Sequence, residues 1–316
     1  MSDADGPHGR GMSPVDLASA LLIVVIWGSN FVVMKVGLRD MGPMMLGALR
    51  FAFASLPLLL FVRRPDLPWR YIAGYGLAQG FGQFGFVFLG LWLGMPAGVA
   101  SIVLQTQAFF TAMLGAVLLH ERTRASQWIG LVIAAGGLAL IALPHGGGAV
   151  GRVPVTGFLL CIAGAAMWAV SNIVARLAQR HNPRYDAVSL VVWGSTAPIV
   201  PFLVLAVLQD GADATLRVLA HPTWPAAASV LYLALVATVA AYSMWARLLK
   251  RHPAGKVAPF SLLVPVVGLY AAWLAFDEQL APAQWLGVAG VGLGLVVSNF
   301  GHRFGDLVRA GIARRT

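Results

Sequence analysis

Charge is scarce in this chain. Only 11% of its 316 residues are Asp, Glu, Lys or Arg, against 59% hydrophobic, and 11% is about half the charge of a soluble domain. Such a chain cannot cover its surface with polar groups, so lipid must be its solvent. None of its 12 acidic residues falls in the middle of an apolar run. The buried carboxylate that usually marks a proton relay is therefore missing, which favours facilitated, downhill export over a carboxylate-coupled antiporter. Asp16 and Glu121 remain able to titrate at a cavity mouth. Cys161 is the single cysteine, so neither an intrachain disulfide nor a cysteine-ligated metal cluster can form. The 7 histidines are dispersed, mostly in loops and tails. No Walker A, Gly-x-Ser-x-Gly or His-Glu-x-x-His sequence occurs, which leaves ATP-driven pumping and intramembrane hydrolysis without a candidate. Nothing calls for a cofactor or a metal. Residues 1–12 are polar and lack the apolar core of a secretory signal.

Ten apolar runs are present, at approximately 14–36, 43–62, 70–93, 97–119, 126–143, 155–178, 186–207, 225–248, 255–276 and 282–300. Each approaches the ~20 residues that cross a bilayer as a helix. Open sheets would leave backbone groups unpaired in lipid, so the runs must be helical. Ser13-Pro14 supplies a cap and first turn for the first. With ten spans, 17 of the 22 Lys and Arg fall on one side. The other side holds Lys35, Arg39, Arg50, Arg152 and Arg217. The positive-inside rule then places both termini in the cytoplasm. The net charge of +10 reads accordingly as a membrane-orientation signal, with the basic stretch from Arg303 to Arg315 meeting anionic lipid headgroups rather than nucleic acid.

The chain also repeats itself. Tyr75 recurs as Tyr232, Pro96-Ala97-Gly98 as Pro253-Ala254-Gly255, Glu121 as Glu278, and Gln127-Trp128 as Gln284-Trp285, each 157 positions later. Trp27 and Lys35 align with Trp168 and Arg176 at an offset of 141. A longer loop around Asp210 to Pro225 accounts for the difference. Five spans per copy is an odd number, so the second copy enters the membrane from the opposite side. This is inverted-repeat topology, in which substrate sits between the repeats. The stretch from His145 to Gly151 reads as a short flexible linker. Its Gly146-x-Gly148-x-x-Gly151 pattern matches a dinucleotide fingerprint only by letter, since no strand of a βαβ unit precedes it.

Polar groups at depth are the candidates for binding. Trp27 and Asn30 share a face of the first span, and Trp168, Ser171 and Asn172 repeat the arrangement in the sixth. Tyr75, Gln79 and Gln83 stand at i, i+4 and i+8 on the third span, with Phe86 continuing the stripe. These residues either line a wet cavity or hydrogen-bond between helices. Gln105 and Gln107, two apart, do not share a face, so at most one should point inward. Pro259 and Pro265 free backbone carbonyls in the ninth span, either to hold an ammonium group or merely to kink the helix; Pro198 and Pro201 invite the same two readings. Gly76/Gly80 and Gly290/Gly294 have the spacing of close helix contacts. Glu121 and Glu278 read as membrane-edge residues that cap helices and pair with loop groups.

The run from Trp27 to Leu38, the Met95–Ser101 and Gln105–Thr111 segments, the helix after Glu121, and Ser261–Gly268 together resemble the EamA family of the drug/metabolite transporter superfamily. The resemblance is nearest to its bacterial O-acetylserine/cysteine and aromatic amino-acid exporters. It implies an all-α integral membrane protein, with ten transmembrane helices as two inverted five-helix repeats around a central cavity. Expected divisions are a tail (1–13), a first repeat (14–144), a linker (145–154), a second repeat (155–300) and a basic tail (301–316). It further implies a multi-pass inner-membrane exporter of amino acids, with broad specificity and alternating access, and no enzymatic activity. Trp27, Asn30, Tyr75, Gln79, Gln83, Trp168 and Asn172 are the expected lining. Hydrophobic drugs, other metabolites or a nucleotide sugar are the alternative cargoes. A nucleotide sugar should demand a cation at depth, and only Lys35 and Arg176 approach that requirement.

Overall fold

The computed structural model describes residues 12–121, 125–143, 152–252 and 254–313; for 250, 254, 255, 258, 299 and 301–313 only the backbone is described. The N-terminal tail before Met12, Arg122 and Arg124, the glycine-rich linker, Pro253 and the side chains of the basic C-terminal stretch lie outside the described residues.

Every regular element among the described residues is helical, as hydrocarbon requires of an open chain. Eight stretches are long and apolar enough to cross a bilayer: Pro14–Gly37, Pro43–Leu60, Ala97–Leu119, Ala125–Ala142, Val155–His181, Ala187–Asp210, Trp224–Leu249 and Pro259–Phe276. Pro282–Ser298 is a shorter apolar helix. The helical run from Trp69 to Trp92, whose amides and glycines lower its hydropathy, is not among the eight. The first helix begins as its residues dictate, with Ser13 Oγ accepting from the Asp16 N–H at 3.1 Å and Pro14 in the first turn. Large apolar side chains ring the perimeter: Val117, Val132, Leu208, Leu274 and Leu286 are all exposed. In water this would be costly, and in acyl chains it is the required arrangement.

The backbone is irregular at matching positions in the two halves. A π-helical turn occupies Gly76–Gln83, and another occupies Tyr232–Ala240. The Ala97–Leu119 stretch tightens to 3₁₀ at Leu104–Thr106, and its counterpart breaks at Leu262–Leu263 between helices Ala254–Ser261 and Val264–Phe276. His120 (φ 54°) and Asp277 (φ 52°) are the non-glycine residues with positive φ among those described. Each ends a helix in the left-handed conformation, and each directly precedes a repeat-related glutamate, Glu121 or Glu278. A left-handed non-glycine residue is disfavoured, so its recurrence at an offset of 157 is the mark of a duplicated backbone.

Glycines let the two halves touch. A methyl group on Gly130 would overlap the carbonyl of Gly294, and one on Gly137 would overlap that of Gly287. Rising numbers meet falling ones, so Ala125–Ala142 and the helix from Pro282 cross antiparallel with their backbones in contact. Gly76 is likewise pressed against the Gly194 carbonyl and Gly80 against Pro198. The small residues singled out in the sequence are therefore packing sites, as expected. Replacing Gly137 by Leu should force this crossing apart and cost about 1–3 kcal/mol. A lower unfolding midpoint of the purified protein in detergent would register it, whereas Gly292→Leu, where an added Cβ would meet nothing within 4 Å, should leave the midpoint unchanged.

Candidate functional site

A cavity of ≈ 710 Å³ lies among the helices, and all seven residues expected to line it do so: Trp27, Asn30, Tyr75, Gln79, Gln83, Trp168 and Asn172. Trp27 is held in place by its indole N–H, which donates to the Ala237 carbonyl at 3.2 Å, and by tilted ring contacts with Tyr242 and Trp245. The acceptor belongs to the second π-helical turn, so the irregular backbone offers a lone pair toward the cavity wall. Gln79 donates to the Tyr242 hydroxyl at 2.7 Å and accepts from Ser171 at 3.3 Å. Asn172 donates to Gln107 at 2.9 Å and to Thr111 at 3.1 Å. Both readings of these polar groups thus hold together: they bond between helices and face the hollow.

Two expectations need correction. Gln105 and Gln107 both line the cavity. The 3₁₀ turn at Leu104–Thr106 interrupts the α-helical register, so spacing that separates faces on a uniform helix does not do so here. Gln105 donates to the Ser261 carbonyl at 2.9 Å, on the helix that contains Pro259, so that carbonyl is already engaged.

The second correction is Arg50. The charge balance assigns it to one membrane face, but it lies inside the Pro43–Ser55 helix, is 1% exposed and lines the cavity. The sequence signal is an arginine enclosed by Ala48-Leu49 and Phe51-Ala52 within an apolar run. Its guanidinium lies 3.9 Å from the centre of the Phe84 ring and 5.7 Å from that of Phe51. Its Nε and Nη2 donate to Thr238 Oγ1 at 3.3 and 3.1 Å. The Thr238 hydroxyl in turn donates to the Leu233 carbonyl at 2.8 Å, which leaves its oxygen free to accept. Arg50 is the one charged residue among the described lining. Tyr242 and Trp245 also line the cavity, and neither has a polar counterpart in the first half to flag it in the sequence.

At one end the lining reaches Gln179, Pro183 and Tyr185 on one side and Ala246 and Leu249 on the other. Burial pushes the Tyr185 phenol above its ordinary pKa, and the adjacent Asp186 carboxylate adds to the shift. The phenol is therefore neutral here and able to donate a hydrogen bond.

Toward the other end the helices close. Gly28 packs on Val267, Gly268 on Ser101, and Gly98 on Leu269 and Ala272. Beyond them Glu278 accepts from the backbone N–H groups of Ala97 at 2.9 Å and Gly98 at 3.0 Å, and pairs with Lys35 at 2.7 Å. It caps the helix that begins at Ala97, as expected of a membrane-edge glutamate. Its repeat mate Glu121 pairs with Arg176 at 2.8 Å and Arg180 at 3.6 Å. Both clusters join the two halves, yet Lys35 and Glu278 are 27% and 14% exposed against 45% and 43% for Arg176 and Glu121.

Residues 17–143 and 155–300 each match the EamA-like transporter family. A "Probable amino-acid metabolite efflux pump" of Escherichia coli K12 is 43% identical over 300 residues, covering 95% of this chain and 100% of that protein. One of the same description from Salmonella typhimurium LT2 is 44% identical over 293 residues, covering 92% and 97%. A solved crystal structure with 19% identity superposes at a TM-score of 0.59, covering 90% of this chain and 95% of that one, a likeness of fold alone.

If the hollow is wet, position 172 should be chemically accessible. In a Cys161→Ala background, Asn172→Cys should react with a small charged thiosulfonate in detergent. Ala165→Cys, on a fully buried face of the same helix, should not. Equal labelling of the two would contradict the cavity.

Proposed function

The chain belongs to the EamA-like transporter family, part of the drug/metabolite transporter superfamily, and on that footing we propose that it exports amino acids and related metabolites across the bacterial inner membrane. In this reading ten spans form two inverted repeats, 14–144 and 155–300, joined by a linker at 145–154. Tails at 1–13 and 301–316 lie in the cytoplasm. Specificity is broad, and the cavity opens alternately to each side as the repeats rock.

One observation carries the proposal: polar and aromatic residues from both halves converge on a single cavity whose volume lies within the range of small-molecule sites. The relatives named as amino-acid metabolite efflux pumps supply the substrate class. The matched left-handed residues support duplication, and the antiparallel glycine crossing supports inversion. Gly130 meets the repeat mate of Gly137, and Gly137 meets the repeat mate of Gly130, as a two-fold axis in the membrane plane demands. The cavity mouth at Gln179–Ala187 adjoins Arg176, Arg180 and Arg184, so the positive-inside rule makes it cytoplasmic and the conformation inward-facing.

The two ion-pair clusters fit the same cycle. Lys35 and Arg176 are repeat mates, as are Glu278 and Glu121, so one cluster is the image of the other at the opposite membrane face. The outer cluster is the more buried and ties a helix N-terminus; the inner one is solvated and correspondingly weak. Rocking would exchange these environments. A nucleotide sugar fits less well, because one fixed cation, Arg50, faces what would be two phosphates.

Reconstituted protein should carry radiolabelled Phe, Met, Thr or Cys across liposome membranes. Folded protein that moves none of them faster than empty liposomes would end this reading. Glu278→Gln should loosen the sealed end. Labelling of a cavity cysteine from the outer face should then rise and the transport rate fall, while Glu121→Gln should leave outer-face labelling near the parent level.

A further inference from the structure

Resting on the export reading, we propose that the cavity recognises the zwitterionic backbone of an α-amino acid: Arg50 takes the carboxylate, and the side-chain carbonyls of Asn30 and Gln83 take the ammonium.

The starting observation is a set of unmet hydrogen bonds. Arg50 Nη1, Asn30 Oδ1 and Gln83 Oε1 are buried and have no partner, and all three residues line the same cavity. Buried polar atoms are ordinarily satisfied, and each exception asks for a reason. Three of the four exceptions among the described residues (Ser126 Oγ is the other) belong to residues that line one hollow, and those three are of both kinds. One is a cationic donor, and two are neutral acceptors. An α-amino acid carries the complement, an anionic acceptor and a cationic donor a few ångströms apart.

Arg50 is built for the first role. A guanidinium desolvated in the membrane without a counter-charge is expensive. The ion pairs among the described residues are made by Lys35, Arg176, Arg180, Arg251 and His252 and do not include it. Phe84 and Phe51 shield its faces, and Thr238 occupies the edge formed by Nε and Nη2. The end bearing Nη1 is left, and a carboxylate can meet that end in the guanidinium plane. Arginine stacking alone would need no such open end. The 141-residue offset that relates Trp27 to Trp168 places Val191 opposite Arg50, and Val191 lines the cavity too. The cation is thus a departure from the repeat rather than something the fold requires of both halves.

The second role falls to dipoles because no acidic residue is found among the described lining. Amide carbonyls can take an ammonium group without a fixed negative charge, and the weaker hold suits a substrate that must leave. Contacts confined to groups shared by all α-amino acids, with Trp27 and Trp168 walling the remaining volume, account for selection by class rather than by side chain.

The test uses the full-length protein in detergent and scintillation-proximity binding of whichever of Phe, Met, Thr and Cys binds tightest. Its amide, its deaminated acid and inorganic phosphate serve as competitors. The amide lacks the carboxylate and the acid lacks the ammonium, so each should compete about 10- to 100-fold less well than the parent. Arg50→Met should abolish the discrimination against the amide, with Arg50→Lys restoring part of it. Asn30→Leu and Gln83→Leu should reduce discrimination against the deaminated acid. The competitor series on unmutated protein stands even if a variant fails to fold. An amide or acid that competes as well as the parent, or phosphate that does so, overturns zwitterion recognition and leaves export intact. Failure of all four amino acids to bind overturns the export reading and this proposal with it.

Discussion

A polar atom in a hydrocarbon slab has no water to turn to, and every feature of this protein answers to that constraint. The backbone satisfies itself by becoming helical throughout the described residues. Ser13 caps the first helix, Glu278 caps the one at Ala97 from the other half of the chain, and Gln105 takes the carbonyl of Ser261 near Pro259. Atoms that escape the rule therefore carry information. Arg50 Nη1, Asn30 Oδ1 and Gln83 Oε1 escape it, and all three belong to residues that line the central cavity.

The same constraint shapes how the halves join. Lipid provides no hydrophobic drive between helices, so contact must come from close packing and specific bonds. Glycines supply the packing where Gly130 meets Gly294 and Gly137 meets Gly287. Charges supply the bonds: Lys35 with Glu278, Arg176 and Arg180 with Glu121, and Arg251 and His252 with Asp16 all join the two halves. Duplication places repeat mates in the Lys35–Glu278 and Arg176–Glu121 pairs, but repeat mates in unequal surroundings need not be equally strong. Glu278 holds two backbone amides as well as Lys35, while Glu121 holds Arg176 and Arg180 in a solvated setting. That inequality is what a rocking mechanism would exploit.

Much of the cavity was legible in the chain because helical spacing is a strong ruler. Tyr75, Gln79 and Gln83 stayed on one wall even though the helix widens to π geometry between them, and Trp27, Asn30, Trp168 and Asn172 fell where their repeat positions suggested. Uniform helical spacing admits at most one of Gln105 and Gln107 to the cavity, and both line it because a 3₁₀ turn, invisible in composition, changes the register between them. Arg50 stands well inside the predicted span 43–62, where a long side chain can still snorkel toward the headgroups, and its packing against Phe84 and Thr238 shows that it does not.

From the residues alone came the lipid solvent and the helical class, because composition and periodicity are local properties that any fold must respect; the duplication came from residues that recur at a fixed offset, and the family from the resemblance of its motifs. The tertiary structure decided which polar groups remain unpartnered, which glutamate is buried and which end of the hollow is closed. Those outcomes depend on atoms brought together from positions as far apart as Lys35 and Glu278, and no local pattern encodes the distance between them.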